Sequence, residues 1–194
     1  IARAFQNDGE KILWVSVFDH WKQWYKILKE IWIYDDMICL SVKYHDKYSI
    51  NKIFNDKEFL ALSEKDREKA VFIAKIIRDA DKVQNMIYSI YNPNDFFFNL
   101  GDNHLTWPIS KENFENIKLK KQLWRDYINT KIDVVISTFS RIFDINFKES
   151  FIFLNSFNYY DEMIKILKSL EWCDDKLITE LDKYYKPQCE QKNG

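Results

Sequence analysis

Two of the three histidines in this 194-residue chain, His20 and His45, fall on the apolar sides of helical patterns. Each is next to an aspartate, Asp19 and Asp46 respectively. A third polar intrusion is Asp81, at the edge of another apolar stripe, with Asn85 one turn further on. An isolated buried carboxylate is too costly to persist, so such an aspartate must be paired, hydrogen-bonded or bound to a metal. Neutral imidazole and carboxylate oxygen together suit a divalent ion, with Mn, Fe, Co, Ni, Zn and Mg all open. A metal held where His20, His45 and Asp81 converge would lower the pKa of bound water and clamp phosphoryl oxygens, which is hydrolytic chemistry at neutral pH. Each histidine has a second reading, as a core imidazole bonded to a backbone carbonyl. Lys47, Arg78 and Lys82 are the cations nearest these positions and suit a phosphate group. Their alternative is a set of solvated surface charges, paired at i,i+3 or i,i+4 with Asp79 or Asp81. Asp79 itself reads as a surface partner. His104 has no patterned partner and stays outside the set.

The elements that must position these groups are helical. The stretch 70–85, AVFIAKIIRDADKVQN, continues a stripe of Ile73, Ile76, Ala80, Val83, Ile87 and Ile90, spaced by threes and fours. Ser63 with Asp66 three residues on opens this long helix as a weak capping box, and Asn92-Pro93 stops it. Upstream, a helix is expected from Glu10 to about Ile33, with His20 in a face of Leu13, Val17, Trp24, Leu28 and Ile31. Asp35 or Asp36 caps a following helix in which Ile38, Val42 and His45 share a face, ending near 46–49. Residues 50–62 read as a loop with a short helical turn, and 94–109 as an irregular aromatic segment. A second long helix is expected after Ser110, carrying Phe114, Ile117, Trp124, Ile128, Ile132, Val135, Phe139 and Ile142. Shorter amphipathic helices cover 146–155, 159–170 and 174–185. One helical domain over 1–186 and a polar, frayed tail over 187–194 complete the reading.

Composition sets the outer limits. With 46% hydrophobic and 17% aromatic residues the chain is globular, and 3 Gly and 3 Pro leave too little turn chemistry for an all-β fold, so the class is all-α. A net charge of −1, with lysines dispersed among acidic residues, offers no field for nucleic acid. Cys39, Cys173 and Cys189 are odd in number and lack a CxxC pattern, which argues against a disulfide framework or zinc site and for a reducing cytoplasm. No apolar run approaches the roughly 18 residues of a membrane span. No nucleophile elbow or phosphate-cradling glycine loop is present, so no catalytic nucleophile is assigned. The Trp14, Trp21 and Trp24 group and 96–98 read as core rather than as a base-stacking platform.

The string IRDADKVQNM, Ile77–Met86, resembles the closing motif of the HD superfamily of metal-dependent phosphohydrolases. In that family a helix ends the metal set with an ADK or ADR aspartate, which Asp81 matches. Asn85-Met86 is also similar to the ADRLHNM form found in alarmone hydrolases, where the asparagine lies near substrate. Two registers fit. In the first, His20 opens the set, His45-Asp46 is the HD pair 25 residues later, and Asp81 closes it. In the second, which we prefer, the chain resembles a bacterial subgroup with VDH, RYHNKY and RDADK segments. Phe18-Asp19-His20 and the KYHDKY of 43–48 then take the first two places, and Ile1–Gln6 would follow an HD pair lying upstream of Ile1. That register also accounts for Arg3, Phe5, Lys47 and Tyr48, and for RIFDINFKESFIFL, Arg141–Leu154.

The resemblance implies a helical HD-domain-like bundle and a divalent metal held by His20, His45 and Asp81, with Asp46 added in the first register. It further implies a nucleotide or other phosphorylated small molecule as substrate, bound near Lys47, Arg78, Lys82 and Asn85. The alternative it leaves is a degenerate HD fold that binds a nucleotide or a protein partner without turnover. Oligomeric state is not legible.

Overall fold

A computed structural model describes residues 27, 28, 30, 35–45, 49–96, 108–123 and 128–190. Apart from 27, 28 and 30, the expected first helix with His20 lies outside them, as do Asp46, Lys47 and most of the aromatic segment with His104. Among the described residues all regular structure is helical and no strand occurs. The α-helices are α1 (Asp36–Tyr44), α2 (Lys57–Ala61), α3 (Glu64–Tyr91), α4 (Lys111–Lys118), α5 (Lys131–Phe139), α6 (Lys148–Asn155), α7 (Tyr159–Lys168), α8 (Asp175–Tyr184) and α9 (Lys186–Glu190). Short 3-10 turns cover Ile50–Asn55, Pro93–Phe96 and Ser140–Asp144. No described helix is long and apolar enough to cross a membrane.

The local punctuation follows from side-chain oxygens. Asp35 accepts from the Met37 and Ile38 amides and starts α1. Ser63 accepts from the Asp66 amide while its hydroxyl donates to the Asp66 carboxylate, opening α3. Pro93 follows the last turn of α3, and Asp174 caps α8 through the Leu177 amide. Thr130 and Asp133 form a reciprocal capping box at α5.

That capping box corrects one expectation. The second long helix is interrupted: α4 ends at Lys118, Lys120 takes a left-handed φ of 52°, and α5 begins only at Lys131. A lysine in that region costs about 1 kcal/mol and carries no glycine signal that a sequence reading would register. Of the segment expected as a tail, 187–190 belong to α9 and 191–194 lie outside the described residues. Pro187 sits in the first turn of α9, where a missing amide hydrogen removes no helix bond.

The chain divides into two compact units, Ile1–Arg78 and Asp79–Gly194, with the boundary inside α3. In the first, Leu40 and Tyr44 of α1 pack with Ile53, Phe59 and Ala70. The Ser41 hydroxyl reaches the Ala70 carbonyl at 3.0 Å and fixes α1 against α3. In the second, Ile132, Ile136 and Phe139 of α5 meet Tyr159 and Met163 of α7 and Leu181 of α8 in one core. Phe139 stacks on Tyr159 and packs against Tyr185, with ring centroids 5.9 and 4.5 Å away.

The faces of α1 and α3 differ from those expected. On α1 the buried residues are Cys39, Leu40, Ser41 and Tyr44, while Ile38 is exposed. On α3, Ile76 is 45% exposed and Ala80 is exposed. The buried line runs instead through Ala70, Ala74, Arg78, Lys82 and Met86 in steps of four, flanked by Asp79 and Val83. Apolar periodicity cannot register a face whose central members are arginine, aspartate and lysine.

Candidate metal centre

His45 is the C-cap residue of α1 and is 8% exposed. Its Nδ1 lies 2.6 Å from the Val42 carbonyl oxygen. A carbonyl oxygen only accepts, so the contact calls for a proton on Nδ1. This is the backbone contact foreseen in the core reading of the histidine. It is equally the contact that orients a metal-binding imidazole, because it sets the tautomer in which Nε2 is the ligating nitrogen. On that chemistry His45 fits a borderline divalent ion. Asp81 and Asn85 stand one turn apart on α3, and both are half-buried. Among the described residues, no group of three or more His, Cys, Asp or Glu is arranged to hold a metal ion. His20 and Asp46, two of the expected ligands, lie outside those residues.

The rest of the RDADK string is engaged in holding helices. Arg78 is 1% exposed, and its Nη1 donates to the Tyr44 and His45 carbonyls at 3.1 and 3.0 Å. These are carbonyls at the C-terminal end of α1, where intrahelical donors run out and a cation is favoured. The next residue serves the opposite helix end. Asp79 is 2% exposed, and its carboxylate accepts from the Asn146 and Phe147 amides, the Asn146 side-chain amide and the Ser150 hydroxyl, all at 2.8–3.0 Å. The first two amides open α6, whose own N-cap, Phe147, has no side-chain oxygen to offer. Asp79 is therefore a buried capping group, which corrects its reading as a surface partner.

Lys82 is also buried, and its ammonium lies 2.6 Å from the Asp144 carboxylate. The alternative reading of Arg78 and Lys82 as solvated surface charges is thereby corrected: both are inside. Each has a protein partner in the place where a phosphate was expected.

Two carboxylates that sequence reasoning passed over do comparable work. Asp133 is fully buried and accepts from the Ser110 amide and hydroxyl and from the Asn129 and Thr130 amides, so one side chain joins the starts of α4 and α5. Thr130 with Asp133 three residues later was the available signal, as a capping box with Asp in place of Glu. Asp56 caps α2 through the Glu58 and Phe59 amides, while its other oxygen accepts from Tyr44 at 2.6 Å and Lys43 at 2.7 Å. Burial and then the hydrogen bond to Asp56 push the Tyr44 phenol up to about 12. Burial alone would raise the Asp56 carboxyl, but hydrogen bonds from Lys43, Tyr44 and the Glu58 amide hold it below its ordinary value.

No family model, curated protein or solved structure matches this chain.

Proposed function

We propose that the chain is a metal-dependent phosphohydrolase domain of the HD type, acting on a nucleotide or other phosphorylated small molecule. The observation that carries the proposal is the 2.6 Å contact of His45 Nδ1 with the Val42 carbonyl, the kind of bond that orients a metal-binding imidazole, in a residue that the motif resemblance independently assigns as a ligand. His20 and Asp81 complete the proposed set, with Asp46 as a further oxygen donor. A bound divalent ion would supply a hydroxide at neutral pH and stabilise charge on the phosphoryl oxygens. In this reading Asn85 lies toward the substrate. Arg78 and Lys82 contribute through their backbone and carboxylate partners rather than by gripping phosphate directly, since their bonds to α1 and Asp144 would have to break first.

A second reading has its own support. Arg78, Asp79 and Lys82 each have an architectural partner, so most of the RDADK string is explained without catalysis. That favours a helical module that binds a nucleotide without turning it over. Both readings meet in one experiment: hydrolysis of a panel of nucleoside phosphates and of p-nitrophenyl phosphate with Mn2+, beside equilibrium binding of the same nucleotides. The phosphohydrolase reading expects turnover that falls at least about 100-fold in Asp81→Asn, the scale of losing a transition-state charge interaction. Nucleotide binding with no turnover in any member of the panel would replace it with the module.

A further inference from the structure

We infer that Arg78 is a positioning residue for the His45 imidazole, an inference that rests on the metal reading above and adds to it a residue acting through the backbone. His45 is held at two points. Its ring is tied by Nδ1 to the Val42 carbonyl at 2.6 Å, and its own carbonyl accepts from Arg78 Nη1 at 3.0 Å. The same nitrogen takes the Tyr44 carbonyl at 3.1 Å, so a single buried donor closes the last turn of α1. A residue at a helix C-cap otherwise frays, because its carbonyl and those before it have no intrahelical donor. Fraying would move the Cα of His45 and, with it, the direction of Nε2. A metal ligand must stay within about 0.5 Å of its productive place, so the bond that stops the fraying also sets the geometry. Burial strengthens the case: with the guanidinium 1% exposed, water cannot stand in for it.

Both carbonyl bonds come from Nη1, so a side chain that keeps a donor at that place retains part of the contact, whereas an apolar side chain of similar length retains none. Calorimetric titration of the full 194-residue chain with Mn2+ is the test, using Arg78→Met, Arg78→Lys, His45→Ala and Ser41→Ala. Ser41 is the control because its hydroxyl also joins α1 to α3 from a buried position but does not touch His45. Positioning predicts that Arg78→Met raises Kd about 10- to 100-fold at unchanged stoichiometry, the usual cost of losing a group that orients a ligand. It also predicts that Arg78→Lys, which keeps a donor, loses less than Arg78→Met, and that Ser41→Ala lowers the melting temperature without moving Kd. A merely structural role would instead reduce the binding-competent fraction and leave Kd alone. If Arg78→Met does not fold, Arg78→Gln is read in its place. An unchanged Kd in the Arg78 variant, with His45→Ala weakened, overturns the positioning role and spares the metal site. A wild-type Kd in His45→Ala, or no Mn2+ uptake by the wild type, overturns both.

Discussion

Asp79 and Arg78 are neighbours in sequence with opposite charges, and each is spent on a helix end of matching polarity. The anion meets the amides that open α6 and the cation meets the carbonyls that close α1, the arrangement that helix dipoles favour. A buried charge survives only when its hydrogen bonds are filled, and the Asp79 carboxylate has four distinct donor groups. Asp79→Ala strands two backbone amides in a dry setting and should lower stability by about 2–5 kcal/mol, measured by urea unfolding. Asp79→Asn, which keeps one accepting oxygen, should cost less than Asp79→Ala; equal costs would mean that shape, not hydrogen bonding, matters there. These roles were not legible beforehand, because the partners of Asp79 are 67 to 71 positions away. A sequence pattern shows which residues are charged, not which distant helix end they reach. His45 is buried, as expected, but the expectation came from a face shared with Ile38, which is exposed.

Helix boundaries marked by local chemistry were readable, and those set by distant groups were not. The starts at Asp35, Ser63 and Asp174 and the stop at Pro93 follow from side chains within three residues of the bonds they make. The start of α6 was placed two residues early, at 146 instead of Lys148, because its cap is supplied by α3. The break after α4 was invisible because Lys120 holds a left-handed φ without being glycine. Replacing it by glycine removes that strain, so Lys120→Gly should leave stability unchanged or raise it by up to about 1 kcal/mol, whereas glycine at an exposed helical position costs about that amount. Thermal melts of Lys120→Gly and of Lys65→Gly, inside α3, make the comparison.

The junction of α1 with α2 gives a pH signature. The folded value of Tyr44, about 12, exceeds its ordinary 10.0, so its contribution is complete below pH 10 and is lost as pH rises through about 12. Asp56 is shifted the other way. Its contribution is present above the ordinary value of 3.8 and is lost as pH falls below that. Melting temperature should therefore decline on both limbs, and Tyr44→Phe should flatten the alkaline one. An alkaline limb unchanged in Tyr44→Phe would remove Tyr44 as its source.

At the scale of the whole molecule, the all-α class followed from very few glycines and prolines together with steady three-and-four spacing, and every regular element among the described residues is a helix. What composition could not reveal was the division inside α3. There Arg78 closes the first unit's α1 and Asp79 opens the second unit's α6. The chemical reading rests on fewer residues than the fold does. The structure contributes the 2.6 Å contact of His45 Nδ1 with the Val42 carbonyl and the half-buried place of Asp81 on α3; the metal and its chemistry are our proposal. The most direct measurement is elemental analysis of the purified chain after incubation with Mn2+, with His45→Ala and Asp81→Asn alongside. The account predicts at least about one ion per chain in the wild type and its loss in both variants, as expected when either of two ligands is removed. Equal metal in all three proteins, or none in the wild type, would contradict it.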